Sequence, residues 1–141
     1  MSVEQNKERA HRFHMEMLLE EKNDLIDELI SPEFVAHVPG LPPEFTKGPE
    51  GIKKWFTAYR AGLSDMWTTH HDTIAEGDKV VIRFEGGGTH SGEMLGIPPS
   101  GKKITVSGID TFRFVDGKFV EMWQQVDFMG MMQQMGVIPS Q

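Results

Sequence analysis

Asp110 and Gln124 are the residues whose types and spacing most suggest chemistry. Asp110 interrupts an alternating row, Ile104, Val106, Gly108, Asp110, Phe112 and Phe114, that is otherwise apolar or small. Gln124 interrupts a second such row, Val120, Met122, Gln124 and Val126. Residues two apart on a strand share a face. Each row therefore aims one polar group into an apolar interior. The turn Val115-Asp116-Gly117-Lys118 lies between the rows, and Asp-Gly is a strong hairpin signal. Pairing outward from it sets Asp110 opposite a residue near Gln124. A carboxylate in such a place is hard to ionise, and a raised affinity for its proton suits a general acid or base. His90, at the end of the row Val80, Ile82, Phe84, Gly86, Gly88, and His37, before Pro39-Gly40, are expected at the mouth of the same site. The predicted catalytic group is thus Asp110, His90 and Gln124. His37, Phe34, Trp55, Phe84, Phe112 and Met122 are the candidates for ligand contact.

Other arrangements carry less. His70-His71 resembles a metal pair, but adjacent strand residues point to opposite faces. No second close grouping supports a metal site, so none is expected. His11 and His14, three apart on the first helix, read as surface or packing residues. Gly86-Gly87-Gly88 precedes neither a helix nor a Lys-Ser/Thr pair, so it is a strand bend or bulge and not a phosphate loop. Cysteine is absent, which excludes disulfides and thiolate chemistry.

The elements that position these residues follow from periodicity. Phe13, Met17, Leu18, Leu25, Ile26, Leu29 and Ile30 make one apolar helical stripe. Lys22-Asn23 marks a break in it, with Asn23 as a cap for the second part. Glu33 to Val38 is a short extended stretch, and Pro39-Gly40-Leu41-Pro42-Pro43 is a loop over the body of the domain. A further helix opens at Gly48-Pro49-Glu50, presents Ile52, Trp55, Phe56 and Tyr59, and closes at Gly62. Strands follow over Trp67–Ala75, Lys79–His90, Lys103–Phe114 and Lys118–Asp127, then a short helix over Phe128–Met135. Met122, Met129, Met131, Met132 and Met135 cluster there as adaptable packing or a compliant apolar lining.

Helices followed by consecutive strands make an α+β fold. The expectation is a cone-shaped, curved antiparallel sheet, covered by the N-terminal helices and enclosing an apolar pocket. A length of 141 residues suits one domain over 1–141. The net charge of −7 and the isolated pairs Lys53-Lys54 and Lys102-Lys103 argue against a nucleic-acid partner. The longest apolar runs are too short to cross a bilayer. Met1 to Glu8 contains no export signal, which points to the cytoplasm. Arg83, Phe119 and Trp123 fall on the opposite sheet face, where aromatics suit a subunit interface. A homodimer or higher homo-oligomer is expected.

Several runs carry a family resemblance. They are Gly88-Thr89-His90-Ser91-Gly92-Glu93, Leu95-Gly96-Ile97-Pro98-Pro99-Ser100-Gly101-Lys102-Lys103, Gly108 to Phe114, Val120-Glu121-Met122-Trp123 and Met131-Met132-Gln133-Gln134-Met135-Gly136. Together with Ile74 to Val80, they resemble the SnoaL-like polyketide and ester cyclases of the nuclear-transport-factor-two-like superfamily. The resemblance implies a conical α+β fold, no metal or organic cofactor, and an apolar small-molecule ligand. It implies intramolecular aldol chemistry, with an Asp as general acid/base near a His. The family often has His at the position of Met122 and Asp at that of Gln124. Asp110 or Asp127 then has to serve as the acid, and the strand faces favour Asp110. The alternatives are a non-catalytic binding module, or an isomerase or epoxide-type hydrolase on the same fold.

Overall fold

The computed structural model describes residues 2–139. Helix α1 (Val3–Arg12) starts at a capping box, in which Ser2 and Gln5 satisfy each other's backbone N–H groups. It runs into a π-helical segment, Phe13–Leu18, where the Leu19 N–H reaches back to the His14 carbonyl. Glu21, with φ at +55°, breaks the chain before α2 (Asn23–Leu29). Asn23 is thus the first residue of α2, and the preceding Lys22 makes no side-chain cap.

Strand β1 (Ile30–His37) follows directly. A loop and a short 3₁₀ turn at Pro43–Phe45 lead to α3 (Gly48–Gly62), with Pro49 in its first turn as the sequence indicates. The strands β2 (Leu63–Glu76), β3 (Lys79–His90), β4 (Lys103–Val115) and β5 (Lys118–Val126) then form consecutive antiparallel pairs. Helix α4 (Phe128–Gln134) closes the chain, capped by the Asp127 carboxylate, which accepts from the Gly130 N–H. Asp127 is thereby a structural cap.

The five strands lie in the order β1-β5-β4-β3-β2. The fold is α+β as expected, with one difference: β1 pairs with β5 in parallel, so the sheet is mixed. The strands approach closely at Gly87 and Gly88. A Cβ on Gly87 would lie 1.9 Å from the Ile104 carbonyl oxygen, and one on Gly88 2.5 Å from that of Ser64. The glycines therefore permit a close strand approach that a side chain would block.

The helices cover the concave face. Phe13, with under 2% of its surface exposed, packs against Phe56, Phe112 and Phe119 with ring centroids 5.0, 4.9 and 5.6 Å apart. Burying a side chain of this kind contributes about 1.5–3 kcal/mol. Phe119 corrects the face assignment made from strict alternation. A register shift between Arg113 and Phe114 turns it inward, where it is fully buried. Of the three residues assigned to the outer face, Arg83 and Trp123 remain exposed.

Candidate functional site

Two apolar clusters flank a cavity of about 480 Å³. Phe13, Leu18, Trp55, Phe56 and Phe84 line it from the main core. Met94, Val106 and Met131 line it from a smaller cluster between α4 and the far ends of β3 and β4. The loop residues Val38 to Pro42 complete the wall, so the proline-rich segment borders the cavity. His14 and Gln124 are polar groups on this largely apolar surface.

Behind them stands Asp110, with no exposed surface. It pairs directly with Gln124 across β4 and β5, and the Gln124 Nε2 donates to its Oδ1 at 2.8 Å. Its Oδ2 lies 2.8 Å from His14 Nε2. That contact is short enough for an ion pair but is off the axis of a straight hydrogen bond, leaving Oδ2 without an aligned donor. The Phe84 ring covers the imidazole, with centroids 4.7 Å apart. The register inferred from the Asp-Gly turn thus brings Asp110 and Gln124 together.

The remaining sequence candidates divide by location. Trp55 and Phe84 reach the cavity wall. Phe34, Phe112 and Met122 are buried in the core and are not among the lining residues. His37 lies on the outer side, stacked on Trp123 and 2.7 Å from the Glu121 carboxylate. His90 is fully buried at the far end of β3, with its Nδ1 2.8 Å from Ser100 Oγ. Asp110 pairs with Ile82, eight positions before His90. That separation is about 26 Å along the strand. Neither His37 nor His90 joins Asp110.

His14, which the sequence reads as a surface or packing residue, instead faces Asp110 and the cavity, and it is linked to further imidazoles. Its Nδ1 is 2.8 Å from Nε2 of His70. His70 Nδ1 contacts His11 Nδ1, and His11 Nε2 lies 3.1 Å from Thr73 Oγ1. A bulge in β2 makes this possible. His70 pairs with Phe84 and Asp72 with Arg83, so His71 is the extra residue. His70 and Thr73 both turn toward α1, while His71 and Asp72 pair with Glu85 and Arg83. The only signal in the sequence was the His11-His14 spacing, which places both rings on one helix face.

Burial, followed by the neighbouring His14 and His11, pushes the His70 imidazole down to about 3. His11 is lowered by burial and by His14. Among the described residues, no cluster of His and carboxylates is arranged to hold a metal ion. Tetrahedral ligand nitrogens stand roughly 3.3 Å apart around a shared ion. Here they face one another in a chain, at hydrogen-bonding distance.

The SnoaL-like polyketide cyclase family matches residues 8–135. The chain belongs to that family. Solved structures of similar proteins agree. IdmH from Streptomyces antibioticus, a proposed polyketide cyclase, is 30% identical, with 92% of this chain and 98% of that one covered at a TM-score of 0.77. A proposed polyketide cyclase from Acidithiobacillus ferrooxidans is 29% identical over 97% and 99% of the two chains, at 0.82. An NTF2-like protein from Burkholderia xenovorans LB400 shares the fold at a TM-score of 0.73 with 10% identity, covering 96% and 98%. No curated protein matches the chain. No helix of the described residues is long and apolar enough to cross a membrane.

Proposed function

We propose that this SnoaL-like chain closes a ring in an apolar poly-β-carbonyl compound by intramolecular aldol chemistry, with His14, Asp110 and Gln124 as its working group. The observation that carries this reading is the fully buried Asp110 carboxylate, held by Gln124 and facing His14, where His14 and Gln124 border an apolar cavity. His14 Nε2, which is in no aligned hydrogen bond to Asp110, takes a proton from the carbon between two carbonyls. The second N–H of the Gln124 amide donates to the enolate oxygen, its first being held by Asp110. The carbanion attacks a further carbonyl of the same molecule, forming the C–C bond. The resulting alkoxide recovers the proton from the His14 imidazolium. Asp110 orients the ring and stabilises its cationic form, as a buried carboxylate does for a catalytic histidine. Phe84, Trp55 and the loop Val38 to Pro42 exclude water, which strengthens each of these electrostatic contacts. The sum is an isomerisation, or a condensation if water is then lost, and needs no redox partner.

The test is conversion of a linear poly-β-ketone, followed by mass spectrometry. Wild-type protein gives a cyclic product, and Asp110→Asn binds the same compound without forming it. Unchanged turnover in Asp110→Asn sinks the assignment. One observation favours a binding module instead: Asp110 is not among the residues of the cavity wall. That reading predicts affinity for the ligand in both proteins and product in neither. Exposed Ile109 and Trp123 on the outer sheet face support a second copy of the chain as partner.

A further inference from the structure

Three imidazoles in a row are costly packing material. Apolar side chains would fill the space between α1 and β2 without polar groups to satisfy. Two backbone irregularities accompany them. His14 lies in the π-helical segment, and His70 and Thr73 face inward only because of the bulge at His71. Such departures from regular geometry concentrate at functional positions.

We propose that His14, His70, His11 and Thr73 form a proton path between the cavity wall and the half-buried edge of the fold at β2. The inference rests on reading His14 as the acid/base group. A neutral imidazole has one N–H and one acceptor nitrogen. Five of the six ring nitrogens are in hydrogen bonds along the row, and the sixth, His14 Nε2, faces the Asp110 carboxylate at 2.8 Å. The row therefore has two polarised arrangements. In the first, Thr73 donates to His11, His11 to His70 and His70 to His14, whose own proton then sits on Nε2 beside Asp110. In the second, the donors and acceptors from Thr73 to His14 are exchanged, so that His14 carries its proton on Nδ1 and none on Nε2, with no proton added at Asp110. A proton arriving at His14 Nε2 is followed by transfer from His14 Nδ1 to His70 Nε2. His70 Nδ1 then passes its proton to His11 Nδ1, and His11 Nε2 releases one toward Thr73 and solvent. One proton enters, one leaves, and each ring stays neutral overall.

His70 is suited to the middle position. Its depressed affinity, from burial and the adjacent His14 and His11, keeps it neutral, so it passes a proton on and does not store it. Charged groups flank both ends of the path, and at the outer end Asp72, next to Thr73, is held by Arg83. Asp110 is the carboxylate at the inner end, and nearby Arg12 is engaged by Glu16.

Solvent exchange of the His14 ring proton tests the path in the full chain, without substrate. ¹⁵N-labelled histidine and magnetisation transfer from water read the rate. His70→Phe cuts the middle of the path. His11→Gln blocks its outer end at a half-buried position that does not touch His14. Exchange is expected to slow at least tenfold in both variants. A wild-type rate in either one overturns the proposal. Because no turnover is measured, this outcome is independent of whether the chain cyclises a poly-β-ketone.

Discussion

Replacing Asp110 by Asn should reverse the histidine row while leaving the fold intact. The two side chains are nearly isosteric, so the Asn Oδ1 still accepts from Gln124 Nε2, now at 2.8 Å. The other position changes sign: an acceptor oxygen 2.8 Å from His14 Nε2 becomes an NH₂ donor. His14 must then carry its proton on Nδ1. His70 accepts it at Nε2, and the reversal runs through His11 to Thr73. The Gln124 bond loses its charged acceptor, and a hydrogen bond to a charged group contributes about 1.5–3 kcal/mol. Losing it is offset by relief from holding a carboxylate in a site with no water access. The net change should fall within about 1 kcal/mol, or about 4 °C in Tm. Activity is affected far more, because the carboxylate no longer stabilises the imidazolium. Orientation and charge at such a histidine contribute up to about 10⁴-fold. Circular dichroism melting and ¹⁵N shifts of the ring nitrogens are the assays. A loss of several kcal/mol would make Asp110 a structural strut. Unchanged tautomers at His14 and His70 would refute the row itself.

Stability should fall in acid through His70. Its unfolded form takes a proton near its usual 6.5, whereas the folded form resists down to about 3. The unfolded state thus binds more protons within that window. Stability is complete above 6.5 and declines as the pH drops toward 3. With solvent screening allowed for, the loss is on the order of 1–2 kcal/mol by about pH 4.5, read from urea midpoints. His70→Asn should flatten that dependence. Gly87→Ala should cost at least about 3 kcal/mol or prevent folding, since its Cβ meets backbone at 1.9 Å, and a near-wild-type melt would contradict the strand approach. His37→Ala should leave ligand affinity unchanged and alter stability by under about 0.5 kcal/mol, because His37 stacks on Trp123 outside the cavity. Weakened binding would place it back at the mouth.

Much of the frame was legible because it depends on local signals. The Asp116-Gly117 turn fixes the β4–β5 register, and the alternation in β4 then carries Asp110 to Gln124. Pro49 and Gly62 bound α3 as their backbone preferences require. The errors arose where an irregularity intervenes. Phe119 turned inward through a bulge that strict alternation cannot show. His70 and Thr73 share a side for the same reason, so β2 hid the partner that would have given meaning to His11 and His14. His90 and His37 were misplaced for another cause. Alternation gives the face of a strand residue, but the distance along β3 and the parallel docking of β1 on β5 are long-range facts.

The central claim is that the His14–Asp110 pair removes a proton from carbon. Deuterium uptake from D₂O into a small β-ketoester tests it most directly, because it isolates enolisation from ring closure. Wild-type protein should accelerate uptake at the carbon between the carbonyls, and Asp110→Asn should lose that acceleration by about 10²–10⁴-fold. Equal uptake in the two proteins, or none above buffer with the wild type, would contradict the account.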